Sequence, residues 1–365
     1  MANPWDHPAP EIGPVPRPNA AGLGRVSLRT LAQNLGEPAW RGDQLFAGLY
    51  RQRWTDWQAF SPLSKGFRER LAAQVDLTWP AIIQSEPSAD ASTKHVFALE
   101  DRCQIEGVHM PYGDRTTLCL SSQVGCAMGC TFCATGQMGI IRNLSSAEIL
   151  GQVMAMVLHH QHPVEKPLNL VFMGMGEPLH NLDHVMEAFE TLTDTEGLAI
   201  PPRRITVSTS GLGTGIERLG AFPRRPRLAL SLNGTTDEHR SKIMPVNRVW
   251  NLAALADGLS RFPLQAGERI TLEYVLLKGI TDSLEDGRRL IAFARRFPSK
   301  INLIPFNVHE GSGFEPPEES RVGALCRLLS DAGLTVSVRR SRGQDVAGAC
   351  GQLVRQGQGR PPKLP

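Results

Sequence analysis

The stretch TTLCLSSQVGCAMGCTFCATG, residues 116 to 136, places an apolar strand directly before three cysteines with the spacing C-x3-C-x2-C. These are Cys126, Cys130 and Cys133, and no fourth cysteine stands beside them. Structural zinc sites and ferredoxin-type clusters generally use four protein ligands. Three thiolates can instead hold three irons of a [4Fe–4S] cluster and leave the fourth iron open, which favours a chemical role. A zinc site, with a fourth ligand from Cys119 or a histidine, is the alternative.

Short apolar strands alternate with helices from residue 116 onward. The predicted strands cover residues 116–121, 168–173, 204–209, 227–232, 270–277 and 301–306. The helix SSAEILGQVMAMVLHH opens with Ser145 and Glu148 at capping-box spacing. Repeated β-α units with near-continuous apolar strands indicate a parallel sheet. Six units predict an α/β fold, a partial (β/α)6 barrel with its functional residues at the carboxyl ends of the strands.

The rest of the chain divides by composition and periodicity. We predict a disordered proline-rich lead (1–25), a helical accessory domain (26–80), a β-hairpin or meander extension (90–115), the partial barrel with a C-terminal cysteine loop (116–352) and a flexible tail (353–365). Trp54 and Trp57 in the helical segment are expected to pack, and contact with a nucleic acid is the alternative.

Composition excludes some classes of protein. The formal net charge of +3 is too small to mark the whole chain as a nucleic-acid binder. Three basic clusters are expected to be solvated faces, with phosphate contact as the alternative: Arg224, Arg225 and Arg227; Arg295, Arg296 and Lys300; Arg339, Arg340 and Arg342. Neither a signal peptide nor a membrane-spanning segment is evident, so we expect a cytoplasmic protein with reduced thiols. Seven cysteines in that compartment indicate metal binding or catalysis.

Polar residues follow several predicted strands. In MGMGEPL, residues 173–179, Gly176 permits close approach of the backbone to a ligand, and Glu177 supplies a carboxylate. Other strand ends carry Ser208, Ser231, Asn233 and Asn307. A turn or cap is the alternative role for each of these residues, but together they predict one ligand site.

The cysteine motif, with Phe132 before its last cysteine, resembles that of the radical S-adenosylmethionine (SAM) superfamily. This resemblance implies a [4Fe–4S] cluster whose open iron chelates the amino and carboxylate groups of SAM. An electron from the cluster then cleaves SAM to a 5′-deoxyadenosyl radical. Glu177 resembles the glutamate of the superfamily's GGE element, which contacts the SAM amino group.

Three further residues narrow the resemblance. Cys119 precedes the motif, Cys350 lies in AGACGQL near the C-terminus, and Glu106 lies in CQIEGVHMP. Together with CATG, RNL, MGMGEP, RRITVSTSG, MPVN and INLIP, they resemble the RlmN/Cfr family of RNA adenosine methyltransferases over essentially the whole chain after residue 27.

The family resemblance implies a mechanism. One SAM methylates Cys350, and a second yields the radical that takes hydrogen from its S-methyl group, so each turnover uses two SAM. The methylene radical adds to adenine C2, an electron-poor carbon that cannot attack SAM directly. Cys119 then releases the product by forming a transient disulfide, and Glu106 accepts the proton. The hairpin pattern adds support, because a turn near Gly113 brings residue 106 opposite roughly residue 120, close to Cys119.

The resemblance also implies SAM contacts and partners. The implied SAM contacts are Gly176, Glu177, Ser208, Ser231, Leu232, Asn233 and Asn307. The family commonly has Ser-Leu-His where this chain has Ser231-Leu232-Asn233, and Asn can still form hydrogen bonds. The implied substrates are adenosine 2503 of 23S rRNA and adenosine 37 of tRNA, the implied reductant is a flavodoxin, and the expected state is a monomer without membrane contact. The alternatives are a Cfr-type C8 methyltransferase, disfavoured by the full N-terminal helical segment, and a non-catalytic metal-containing RNA-binding protein.

Overall fold

The computed structural model describes residues 17–353, so most of the predicted lead and nearly all of the predicted tail lie outside the described residues. The chain divides into two compact units, one ending at Thr78 and the other beginning at Trp79. None of the helices within residues 17–353 combines the length and apolar character that a membrane span requires.

The first unit is helical. Its elements are α1 (Arg25–Asn34), α2 (Arg41–Phe46), a π-helical turn (Ala47–Arg51), a 3-10 turn (Trp57–Ala59) and α3 (Lys65–Gln74). The apolar face of each helix meets a common core that includes Leu28, Phe46 and Phe67, all fully buried. Trp57 packs in this core and donates a hydrogen bond from Nε1 to the carbonyl of Val75 (3.0 Å). Trp57 therefore has the expected packing role.

The second unit is built on one ten-stranded sheet. Its strands, in spatial order, are β1 (Ala81–Pro87), β2 (Thr93–Ala98), β3 (Gln104–Tyr112), β4 (Arg115–Cys119), β7 (Leu168–Phe172), β8 (Ile205–Thr209), β9 (Arg227–Ser231), β10 (Ile270–Leu276), β11 (Ser299–Pro305) and β12 (Val336–Val338). A separate pair joins β5 (Gln123–Gly125) to β6 (Ile140–Asn143). Strands β1 to β4 pair antiparallel, whereas β4 and β7 to β12 pair parallel.

Helices connect the parallel strands. They are α4 (Ala134–Met138), α5 (Ser146–His159), α6 (Leu182–Thr193), α7 (Gly213–Gly220), α8 (Asp237–Ile243), α9 (Leu252–Ser260), α10 (Leu284–Ala294) and α11 (Glu319–Asp331). Within residues 17–353 no strand pairing joins β12 back to β4 or β1, so the barrel is open. The predicted α/β partial barrel with a helical N-terminal part and a β-meander is confirmed.

The six strands that the sequence predicts all exist, each within two residues of the predicted ends. The predicted capping box of α5 is also present, since Ser145 Oγ accepts from the Glu148 amide (3.2 Å) and the Glu148 carboxylate accepts from the Ser145 amide (2.9 Å). The short seventh parallel strand, β12, was not predicted, because three residues carry no readable periodicity.

The hairpin of β3 and β4 has the predicted turn. Gly113, with φ +53°, occupies the turn, and the register places Val108 opposite Cys119. Continued by two residues, this register places Glu106 opposite Ser121, whereas the sequence predicted roughly residue 120. Ser121 Oγ donates a hydrogen bond to the Glu106 carbonyl (2.6 Å). Side chains of directly opposed residues share one face of a sheet, so Val108 and Cys119 face the same side, as does Glu106 two residues earlier.

Candidate functional site

The three-cysteine loop follows β4 at the carboxyl edge of the parallel strands, as predicted. Cys126 and Cys130 are each 9% exposed. Cys133 is half-buried and occupies the N-cap position of α4. The loop is tight, because a Cβ at Gly136 would lie 2.7 Å from the carbonyl oxygen of Cys130. Burial raises the pKa of the Cys126 thiol to about 12 and raises those of the other two thiols as well. The loop is thus ordered to present three desolvated sulfur atoms, which favours ligands bound to metal over free thiolates.

A cleft enclosing about 930 Å³, counting the space open to solvent at its mouth, lies over this loop. Residues from the cysteine loop, five strand ends and the C-terminal segment line it: Cys126, Met128, Cys130, Phe132, Cys133, Phe172, Met173, Gly174, Gly176, Glu177, Ser208, Thr209, Ser210, Ser231, Asn233, Met244, Glu273, Val275, Ile304, Phe306, Asn307, Arg339, Cys350 and Gly351. The structure therefore brings most of the predicted site residues to one cleft.

The spacing of the sulfurs discriminates between a cluster and zinc. Among residues 17–353, the one trio of cysteine, histidine or carboxylate donor atoms within 4.8 Å of one another is a histidine trio outside this loop. At least one pair of the three cysteine sulfurs is therefore more than 4.8 Å apart, beyond the separation of about 3.8 Å that Zn–S bonds of about 2.3 Å in a tetrahedron require. A [4Fe–4S] cluster binds each sulfur through a different iron and needs a wider spacing. The donor set fits the cluster better than a single zinc ion.

Gly176 and Glu177 stand at the end of β7. Gly176 has φ +103°, and a Cβ there would lie 2.7 Å from the backbone nitrogen of Gln123. The glycine is therefore required by close packing of two loops. The buried Glu177 carboxylate accepts hydrogen bonds from the amide and hydroxyl of Ser210 (both 2.8 Å) and from the amide of Leu179 (3.1 Å). Burial raises the pKa of Glu177 despite these bonds, so the carboxylate is held in one position at the cleft wall.

The strand-end residues differ in how their polar groups are used. Ser208 and Ser231 lie with their hydroxyl oxygens 3.3 Å apart at the cleft. The side-chain oxygen of Asn233 accepts a hydrogen bond from the backbone amide of Val275 (2.9 Å). The backbone of Asn233 is in the left-handed region, with φ +50°. Leu232 points the other way into the core, and its carbonyl accepts from the buried Arg240 (2.9 Å). Leu232 therefore does not line the cleft, in keeping with alternation along a strand.

Cys350 lies on a segment that folds back over the cleft. The Asn307 amide donates to the Cys350 carbonyl (3.0 Å), and the Gly351 carbonyl accepts from the amide of Ala134 in the cysteine loop (2.8 Å). Gln352 also donates to the carbonyl of Val308 (2.7 Å). Several long-range hydrogen bonds therefore hold the loop around Cys350. Asn307, predicted to contact SAM, here fixes the position of Cys350.

Cys119 and Cys350 line a second, smaller cavity beside the cleft, together with Met173 and Arg339. Burial, with a smaller contribution from the nearby Cys350, raises the pKa of Cys119 to about 12, and Arg339 opposes the rise. Cys350 also contributes to the raised pKa of Cys133. Cys350 therefore lies within range of charge interaction with a cluster cysteine on one side and with Cys119 on the other. Both Cys119 and Cys350 are free thiols.

Glu106 lies near the second cavity but lines neither one. It is 1% exposed, and its Oε1 is 3.7 Å from Nζ of Lys94. The position of a Cβ on Gly348, in the Cys350 segment, would be 3.5 Å from the Cβ of Lys94. Glu106 thus shares the face of the sheet that carries Cys119, and its ion-pair partner Lys94 also lies near the C-terminal segment.

Sequence reasoning missed three charged residues of the site. Glu273 lines the cleft, is 5% exposed and accepts from the Asn302 amide (2.9 Å). Arg339 lines both cavities, and its pKa is raised chiefly by its charge interaction with Cys350. Arg240 is fully buried behind the cysteine loop. The sequence could have indicated Glu273, because a carboxylate inside the apolar strand ITLEYVLL is a buried charge, which is rare without a specific role.

The basic clusters are mostly occupied by local partners. Arg225 forms a buried ion pair with Glu268 (2.9 Å), and Arg340 pairs with Glu319 (2.9 Å) on the surface. These arginines stabilise the fold, and the structure does not single out one cluster as an RNA contact.

Comparisons with known proteins agree with this geometry. The model of the radical SAM superfamily matches residues 120–291, and that of the ribosomal RNA large subunit methyltransferase N-terminal domain matches residues 18–77. A dual-specificity RNA methyltransferase RlmN 2 from Myxococcus xanthus is 44% identical over 97% of this chain and 95% of its own. A dual-specificity RNA methyltransferase RlmN from Geobacter sulfurreducens is 45% identical over 91% of each chain. The chain belongs to the RlmN family of radical SAM enzymes.

A solved structure supports the same assignment. A radical SAM methyltransferase from Sphaerobacter thermophilus superposes with a TM-score of 0.87 at 38% identity, covering 92% of this chain and 99% of its own. Membership of the superfamily implies a [4Fe–4S] cluster and SAM. The protein is therefore a radical SAM methyltransferase of an RNA-modifying family. The superfamily match ends before Asn307 and Cys350, which lie in the part matched by the full-length relatives.

Proposed function

We propose that this enzyme methylates C2 of adenosine in RNA, and that Cys350 carries the methyl group. The observation that carries this proposal is the position of Cys350, which borders the cleft over the cysteine loop and the smaller cavity with Cys119. A cysteine in that position can receive a methyl group at the cleft and then meet a second thiol without moving far.

The cleft residues fit a SAM-bound cluster. Bound at Cys126, Cys130 and Cys133, the [4Fe–4S] cluster and SAM would supply the radical and the methyl group. Glu177, fixed by three hydrogen bonds, is suited to hold the positive amino group of SAM. Ser208 and Ser231 offer hydroxyl groups at the cleft wall, whereas Asn233 and Asn307 would act mainly by supporting the backbone of the site. Leu232 would contribute only by positioning its neighbours.

Cys119 is suited to release the product. Its thiolate would attack the sulfur of Cys350 and form a disulfide as the bond from that sulfur to the methylene carbon breaks. The electron pair of that bond would leave with the carbon, which takes up a proton and becomes the methyl group of the product. Arg339, beside both cysteines, lowers the cost of forming that thiolate in a buried place. A reductant must then restore the two thiols, and the pair is free in the present structure. Glu106 would take the proton lost from C2, since its side chain lies on the same face of the sheet as Cys119.

The substrates and partners follow from the family. We propose adenosine 2503 of 23S rRNA and adenosine 37 of tRNA as targets, two SAM per turnover, a flavodoxin as electron donor and a cytoplasmic monomer. The match of residues 18–77 to an rRNA methyltransferase N-terminal domain supports an RNA-binding role for the first unit. We prefer the C2 reaction to the Cfr-type C8 reaction because this chain has the full N-terminal helical segment. A non-catalytic RNA-binding protein would have no use for the Cys119–Cys350 arrangement.

Anaerobic turnover of 23S rRNA fragments and tRNA with SAM and a reductant tests this proposal. We expect methylation by the wild type and none by Cys350→Ala with an intact cluster. Cys326→Ala, at a half-buried cysteine of α11, is the matched control and should retain activity. Cys119→Ala should accumulate protein crosslinked to RNA, visible as a shifted band on a denaturing gel. Methylation by Cys350→Ala at the wild-type rate would refute the proposed role of Cys350.

A further inference from the structure

A cluster of histidines lies on the second unit, away from the cleft. His95 is on β2, His109 is on β3, and His159 and His160 end α5. His95 pairs in register with Gly107, whose Cβ position would lie 3.6 Å from the terminal methyl of Met156 in α5. Opposed residues share a face of the sheet, so His95 faces α5. The neighbouring residues Lys94 and Glu106 face the opposite side, where the reaction is proposed to occur.

The imidazole groups converge. One ring nitrogen of each of His95, His159 and His160 lies within 4.8 Å of the others. Nε2 of His95 is 2.7 Å from Nε2 of His160, and Nδ1 of His95 is 2.9 Å from Oγ of Ser85. Hydrogen bonding of one ring nitrogen to a neighbour, with the other left to bind, is the usual arrangement of a metal-bound histidine.

The ring of His160 is also held from its other side. His109 stacks on it with 3.6 Å between ring centroids and 8° between planes. His109 is 7% exposed, and its Nδ1 is buried without a hydrogen-bond partner among residues 17–353. The cluster therefore contains an unused buried polar atom in addition to its three convergent nitrogens, so its hydrogen-bonding capacity is not satisfied by the protein alone.

Two local charges bear on a cation bound here. Neutral imidazole is the form of histidine that binds metal. Both His159 and His160 lie at the C-terminal end of a 14-residue helix, where the helix dipole favours positive charge. Lys166 acts against a cation, since it contributes to the lowered pKa of His109.

We propose that His95, His159 and His160 bind a divalent transition-metal ion of the zinc class, with water completing the coordination. Imidazole ligands suit Zn²⁺, Cu²⁺ and Ni²⁺. Tetrahedral ligation with bonds of about 2.05 Å separates two nitrogens by about 3.3 Å. The contact between His95 and His160, now 2.7 Å, therefore opens by about 0.6 Å on binding, which requires only side-chain adjustment. The ion would tie the β-meander to the end of α5 and so stabilise the extension on the barrel.

Zinc binding to the intact enzyme tests the proposal. Full-length protein, reconstituted without oxygen and checked for full iron content, is dialysed against Zn²⁺ and analysed for metal. We expect one zinc per chain beyond the cluster, and a loss of affinity of at least tenfold in His95→Gln and His160→Gln. His184→Gln, at an exposed position on α6, is the matched control and should bind zinc as the wild type does. X-ray absorption at the zinc edge should show nitrogen and oxygen neighbours at about 2.0 Å and no sulfur.

The outcome is decisive in either direction. If the buried positions do not tolerate substitution, His159→Gln gives the answer, because that side chain is exposed. Absence of saturable zinc in the iron-loaded wild type would overturn the proposal. Sulfur neighbours at the zinc would overturn it as well, since they would assign the ion to cysteines. Nickel and copper measured in parallel distinguish which ion of this class binds most tightly.

Discussion

Substitution of Gly176 by alanine tests how the glycine-rich loop after β7 is held. The added Cβ would meet Gln123 at 2.6 Å to its Cβ and 2.7 Å to its backbone nitrogen, and the residue has φ +103°. The backbone nitrogen cannot move away without disturbing β5, which pairs with β6. Both the steric overlap and the left-handed conformation therefore oppose the new side chain.

The magnitude follows from these two terms. An alanine forced to positive φ costs about 1 to 3 kcal/mol, and overpacking costs about 1 to 3 kcal/mol. Loss of glycine's freedom in the unfolded chain returns less than about 1 kcal/mol. We expect a net loss of about 3 kcal/mol, which for a unit of this size lowers Tm by about 6 °C. Glu177 moves with its neighbour, so SAM binding should weaken as well.

Thermal unfolding of the iron-loaded protein, followed by circular dichroism, measures this effect. Gly258→Ala is the matched control, because Gly258 lies inside α9 and a Cβ there meets nothing within 4 Å. Alanine is the better helix former by about 1 kcal/mol, so this control should raise Tm slightly. A Gly176→Ala protein that unfolds within 1 °C of the wild type would refute the steric reasoning.

Two further substitutions, each with a control, distinguish an arginine that stabilises the fold from one that assists the reaction. Arg225→Met leaves the mostly buried Glu268 without its ion-pair partner, so we expect the free energy of unfolding to fall by about 3 to 5 kcal/mol. Arg288→Met is the control, because it breaks an exposed ion pair with Glu285. In the same unfolding experiment it should change the free energy of unfolding by less than about 1 kcal/mol. Arg339→Met removes the cation beside Cys119 and Cys350, so we expect methylation to slow by about 10- to 100-fold with unchanged iron content. Arg340→Met, at the exposed neighbour paired with Glu319, should keep the wild-type rate, and equal rates in both variants would contradict the role of Arg339.

The local patterns of the sequence predicted the parallel strands well because both faces of those strands are buried. Such strands read as short apolar runs bounded by turn residues, and all six runs lie within two residues of the observed strands. The turn at Gly113 also fixed the hairpin register to within one residue, because a short turn leaves little freedom in pairing. Strand alternation alone could have separated Leu232 from Ser231 and Asn233.

The C-terminal segment could not be predicted in this way. The contacts that position Cys350 join it to Asn307 and join its neighbour Gly351 to Ala134, residues far away along the chain. Local composition carries no information on such contacts, so the sequence alone could not position Cys350. Arg339 was likewise grouped with surface arginines, because only the three-dimensional structure brings it beside two cysteines.

The identity of the methylated nucleoside tests the central claim most directly. Wild-type enzyme is incubated without oxygen with SAM, reductant and a 23S rRNA fragment, and the digested RNA is analysed by liquid chromatography and mass spectrometry against both methyladenosine standards. We predict 2-methyladenosine, absent from the Cys350→Ala reaction. A product that coincides with 8-methyladenosine, or no methylated adenosine from an iron-loaded enzyme, would contradict the account.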